Sequence, residues 1–143
     1  MIKRLFQPAP LAARASAGLL AIRLVAGLAF MMHGWGKIQH PFSWAGTNYP
    51  AFLQGLAALS EFGGGLAWIL GLLTPLASFG IACTMLTAIQ LHVITLKQSF
   101  VATKQSEQSY EVAAVYLALC VLFLLAGPGR YSADRQVFGQ KVV

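Results

Sequence analysis

Four apolar runs divide the chain, at about 15–38, 51–73, 75–96 and 108–127. Each approaches or exceeds the length a helix needs to cross a hydrocarbon layer of about 30 Å, at about 1.5 Å of rise per residue. The runs therefore predict four helices. Residues 39–50 and 97–109 are polar or turn-rich, and Thr74-Pro75 is the tightest connection, with Pro75 suited to the first turn of a new helix. Gly127-Pro128-Gly129-Arg130 ends the fourth run. Short connections make sequential helices antiparallel. The expected fold is all-α: four antiparallel transmembrane helices in an up-down-up-down bundle over residues 15–128. Short tails, 1–14 and 129–143, flank it.

Composition assigns these helices to a bilayer. Of 143 residues, 57% are hydrophobic and 10% charged, against about 25% charged in a soluble domain. Mean hydropathy is +0.67. One membrane domain fits this length, and a second folded domain does not. The net charge of +6 does not indicate nucleic acid, because the basic residues sit at the ends of apolar runs. They act instead as topology signals. Lys3, Arg4, Arg14, Arg130, Arg135 and Lys141 fall on one side, and Lys37, Lys97 and Lys104 on the other. The positive-inside rule then makes both termini cytoplasmic. The basic start resembles the n-region of a signal peptide, but the run after it is too long for an h-region and contains Arg23.

A few polar residues interrupt the runs, and a charge facing lipid at such depth is costly, by about 3 kcal/mol or more. Glu61 stands mid-way in the second run, followed by Gly63, Gly64 and Gly65. Arg23 lies at a similar depth in the first run. An Arg23–Glu61 pair is expected, either as a structural lock or beside a ligand for which Glu61 relays protons or accepts a hydroxyl. The glycines predict close helix approach. His33, His92 and Glu111 lie below the outer ends of the first, third and fourth runs. With Arg23 and Glu61 they are candidates for a shared pocket opening outward. The imidazoles could hydrogen-bond a quinone carbonyl, move protons or ligate haem, or simply be satisfied by neighbours. His33, His92 and Glu111 are also a weak metal triad. Trp35, Lys37, Trp44, Tyr49 and Lys97 are outer-face residues, read as interface anchors that could also cover a planar or anionic ligand. Below the inner ends the third and fourth runs offer only weakly polar groups. Cys83 and Cys120 are expected to be buried, reduced and inert.

The stretches Arg23-Leu-Val-Ala-Gly27, His33-Gly34 and Lys37 resemble the DoxX family, as do Glu61-Phe-Gly-Gly64, Gly71-Leu-Leu-Thr74, Glu111 and Gly127-Pro-Gly-Arg-Tyr-Ser132 with Asp134. The resemblance covers about 18–135. It implies a small four-helix protein of the bacterial inner membrane, related to the DoxD subunit of a thiosulfate:quinone oxidoreductase. The chain has no Rossmann motif, CxxCH or iron–sulfur cysteine set. Any electron carrier would be a quinone, a non-covalent haem or a cofactor on a partner. The functional expectation is a membrane subunit of a redox or respiratory complex with an outward pocket for quinone or a small substrate. The alternatives are a non-enzymatic anchor or assembly subunit, and a small-solute or metal transporter.

Overall fold

The computed structural model describes residues 6, 11–104 and 106–139, and every regular element among them is helical. Helix α1 spans Ala13–Gln39. The second run forms α2 (Ala51–Ala58), a π turn (Leu59–Gly63) and α3 (Gly64–Leu70) without a break in helical backbone. Helix α4 spans Thr74–Gln90 and continues into a second π segment, Leu91–Thr95. Helix α5 is Glu111–Ala126 and α6 is Ala133–Phe138. By length and composition α1 and Thr74–Thr95 are sufficient to cross a membrane, and α5 is apolar but shorter.

Small residues decide how the helices meet. A Cβ on Gly27 would lie 2.7 Å from the Gly65 carbonyl oxygen, and one on Gly65 would lie 2.6 Å from that of Gly27. Further along, Gly34 abuts the backbone of Phe62. These contacts run antiparallel and bring the α1 and α3 backbones together, as small residues do between membrane helices. Of the three consecutive glycines, Gly65 faces α1 and Gly64 receives Ile81 of α4. The expected close approach is thus observed, shared between two neighbours.

The core draws on four helices: Leu19, Ala26 and Phe30 from α1, Trp68 from α3, Ile81 from α4, and Cys120 and Phe123 from α5. Phe30 meets Trp68 edge-on at 5.5 Å and Tyr116 at 4.7 Å, and Trp68 meets Phe123 at 4.8 Å. Each such pair contributes about 0.5–1.5 kcal/mol beyond area burial. The outer surface is apolar as well, with Val25, Met32, Phe79 and Leu125 exposed. A continuous apolar exterior of this kind requires an apolar solvent.

Two expectations change here. The second run ends at Leu70, not 73: Gly71 turns left-handed (φ 64°) and Leu73 follows (φ 48°). The segment from residue 129, expected as a tail, folds back on the bundle and buries Gly129, Ser132 and Asp134 along with the preceding Pro128. Asp134 is why: its carboxylate accepts from the Leu73 and Thr74 amides at 2.7 and 2.9 Å, and its own amide donates to the Gly71 carbonyl at 2.8 Å. It thereby caps the start of α4 and holds Leu73 in a conformation that is unfavourable for a residue with a side chain. In the 97–110 loop, the Thr103 hydroxyl and amide both donate to Glu107 and hold its carboxylate below the usual range.

Candidate functional site

The ionisable residues form two separate clusters, and the partners differ from those expected. Arg23 does not meet Glu61. Its Nε donates to the Trp68 carbonyl at 2.7 Å, Nη2 to Ile69 at 3.0 Å, and Nη1 to Pro128 at 2.8 Å and Tyr131 at 2.9 Å. Trp68 and Ile69 lie in the last turn of α3, where carbonyls leave the regular helical ladder and the helix dipole is negative; the Trp68 carbonyl also accepts from the Gly71 amide at 3.1 Å. A guanidinium satisfies such groups from the side. Asp134 supplies the nearby negative charge. Ser78 completes this inner cluster by accepting from the Trp68 indole at 2.9 Å and donating to the Thr74 carbonyl at 2.7 Å. The end of the bundle where α1 begins and α5 ends is therefore more polar than expected, and its polarity is used in closing the fold.

Glu61 pairs instead with Lys37, at 2.6 Å. The sequence reading made Lys37 an interface anchor. It lies on the same face of α1 as His33, four residues on, so it points inward toward the π turn that carries Glu61. The Lys37 ammonium also sits 4.5 Å from the centroid of Trp44. Trp44 is fixed by Gln54: its indole donates to the Gln54 carbonyl at 3.0 Å. The Gln54 side chain accepts from Ala45 and donates to the Gly46 and Tyr49 carbonyls. This buried glutamine staples the 40–50 loop over the pair. A polar residue two turns before Glu61, on one face of an apolar run, was the available signal for it.

The Lys37–Glu61 pair borders a cavity of about 310 Å³ between α1, α4 and α5, whose polar lining includes His33, His92 and Ser109. Its deep wall is Phe30 and Tyr116, members of the aromatic core. So aromatic rings, not Arg23, close that side of the cavity. The Glu61 side chain is 7% exposed. Its Oε1 takes Lys37, while Oε2 is buried without a hydrogen-bond partner. His92 Nδ1 is bonded to the Gln98 carboxamide oxygen. As a donor there, the ring leaves Nε2 as an acceptor. Two of the ionisable groups at the site, Glu61 and His92, thus stand on π segments, geometry that re-aims side chains and recurs at functional sites.

The other candidates fall outside this cavity. Glu111 is exposed at the start of α5 and does not line it. Among the described residues no three His, Cys, Asp or Glu side chains are close enough to hold a metal ion. The triad of His33, His92 and Glu111 does not fit one. Trp35 is exposed with its ring 5.7 Å from Phe62, and Lys97 is exposed. Trp44 and Tyr49 line a second, larger depression on the other side of the Lys37–Glu61 pair. Cys83, expected to be buried, is exposed on α4, whereas Cys120 is buried, and both are free thiols.

The DoxX family model matches residues 18–96, which include Arg23, His33, Lys37, Glu61 and His92. The chain is also similar to the inner membrane protein YqjF of Escherichia coli (strain K12). The two are 34% identical over 126 residues, 82% of this chain and 90% of that protein. No solved structure matches it. Two helices able to span a bilayer, a family match over more than half the chain and a full-length inner-membrane relative agree. The protein is a bacterial inner-membrane protein, and the chain belongs to the DoxX family.

Proposed function

We propose that this chain is a membrane subunit of a redox complex that binds a hydroxyl-bearing small ligand, such as a quinol head group, in the cavity below its outer loops. In this reading α1, the α2–π–α3 rod, α4 with its π segment and α5 each cross the membrane, and both termini are cytoplasmic. The unpartnered Glu61 Oε2 carries the proposal. A buried carboxylate oxygen without a donor costs about 1–3 kcal/mol or more, and a ligand hydroxyl would supply the donor. Lys37 holds Oε1 and fixes the rotamer of the carboxylate. His92, oriented by Gln98, offers Nε2 to a second hydroxyl or takes its proton. The dimensions suit a small ring, since ligand pockets run from about 300 Å³ upward.

The test is anaerobic titration of the purified protein in nanodiscs with a tailless dimethoxy-methyl benzoquinol, read by tryptophan quenching. A hydrogen bond to a charged group contributes about 1.5–3 kcal/mol. Glu61→Gln should therefore weaken binding about tenfold or more. Unchanged affinity in that variant would remove Glu61 from the site and, with it, this function.

A specific observation favours a second reading. Arg23, 1% exposed, spends its hydrogen bonds on backbone carbonyls and does not touch the cavity. Much of the polar core is thus a folding device, as a non-enzymatic assembly subunit would require. Isolation from native membranes separates the two: co-purifying oxidoreductase subunits with no quinol binding would favour assembly alone.

A further inference from the structure

The Lys37–Glu61 pair has a second side. An apolar groove of about 910 Å³ runs between the α2–π–α3 rod and α4, and Lys37, Glu61, Met85 and Ala88 line both it and the 310 Å³ cavity. Its floor is made of small residues, including Ser60, Gly64, Ala77 and Gly80. Its rims are the exposed Leu56, Leu76, Phe79 and Cys83. The groove therefore faces the surroundings along the length of two helices and ends at a nine-tenths-buried carboxylate with a free oxygen.

We infer that the groove is the tail site of an amphiphile, a molecule with a hydroxyl-bearing head and a single long apolar chain that enters sideways from the bilayer. The inference rests on the function proposed above and names its ligand class. Three features support it. The lining is mostly small and aliphatic, which matches a hydrocarbon chain, and the hydroxyls of Thr84 and Thr87 are spent on the Ile81 and Cys83 carbonyls. The ion pair stands where the head would have to stop, because beyond it the cavity meets Phe30 and Tyr116. The outer approach is covered by the 40–50 loop, which Gln54 clamps through bonds to three of its backbone groups. A head entering from the lipid side passes Met85, whose flexible thioether side chain yields readily, and need not break that clamp.

Cys83 lies on the groove rim and does not line the cavity. It is exposed, so a larger side chain there fills the groove without disturbing the core. The probes are the tailless benzoquinol above and the same head with a decyl tail, each titrated anaerobically in nanodiscs of saturated phosphatidylcholine. Cys83→Phe should weaken the decyl probe about tenfold and leave the tailless probe unchanged, while Cys83→Ala binds both as the parent does. Equal affinity of the parent and Cys83→Phe for the decyl probe would show a groove holding bulk lipid only and overturn the inference, with head binding intact. Parallel loss of both probes would also overturn it. Binding of neither probe by the parent protein would end both this inference and the proposed function.

Discussion

Lys37 and Glu61 show what a buried pair costs when it is broken. Glu61 is nearly buried and Lys37 about three-quarters so, at 7% and 27% side-chain exposure. Removing one partner of a buried pair typically costs about 3–5 kcal/mol, because the other charge is left unpaired. We expect Lys37→Met to lower the thermal midpoint by several degrees and Lys37→Met/Glu61→Gln to recover most of it. Thermal unfolding of the four proteins of this cycle in one detergent checks this; a double variant as unstable as Lys37→Met would mean that Glu61 gains little from the ammonium. Arg23 predicts differently. Its planar fork reaches four carbonyls on two chain segments, a pattern that a lysine ammonium with three donors cannot reproduce. Arg23→Lys should thus destabilise nearly as much as Arg23→Met, while leaving the head-group affinity of whatever folds unchanged. Arg23 and Glu61 were recognisable as buried charges from their positions in apolar runs. Their partners were not. Matching depth and opposite charge suggested that they pair with each other, but depth along a helix says nothing of azimuth. Backbone carbonyls at a helix end are acceptors that no sequence pattern displays.

At the scale of elements, contact between α1 and α3 depends on the absence of side chains. Gly27→Leu would put atoms where the Gly65 carbonyl and Ile69 now stand. It should separate the two helices and abolish folding or leave a loosened, protease-sensitive bundle; Gly18→Leu, where nothing lies within 4 Å, should be tolerated. Limited proteolysis in detergent distinguishes them. The Asp134 cap makes a similar claim for the α3–α4 turn. Asp134→Ala leaves two amides without acceptors and Leu73 without its tether, at about 1–2 kcal/mol for the cap and more for the turn. Release should show as faster hydrogen exchange at Leu73 and Thr74. The positions of three helices were legible within a few residues, because an apolar run with polar ends has few other solutions. The π turns were not, since their extra residue leaves no mark on hydrophobicity. Nor was the return of 128–138 onto the bundle: one aspartate in a polar segment reads as a solvated tail until the amides it caps are seen.

The molecule as a whole encloses a cavity and a lateral groove that meet at one ion pair, with an aromatic core beneath. Phe30, Trp68, Tyr116 and Phe123 lie between the Lys37–Glu61 pair and the cluster around Arg23 and Asp134, which is the separation the proposed binding site needs. The proposed orientation has its own check. Fusion of a cytoplasm-dependent reporter after residue 143 should give signal, and a periplasm-dependent enzyme fused there should not. The reverse result would invert the cavity and direct it to the cytoplasm. Thiol labelling in detergent should modify Cys83 and spare Cys120, which is buried in the core.

The sequence by itself determined that this is an all-helical membrane protein with charges inside its helices. Apolar length and the scarcity of charge are summed along the chain and need no knowledge of neighbours. It also marked Glu61 and His92, since an ionisable group in an apolar run must find company. The tertiary structure alone decided which company. Azimuth, the close approach allowed by Gly27 and Gly65, and the π turn at Leu59–Gly63 brought Lys37 to Glu61 and gave Arg23 to the carbonyls of α3 and the segment after α5. Pairing depends on angle about a helix axis to within a few tens of degrees, and that angle is fixed only when all the helices are packed.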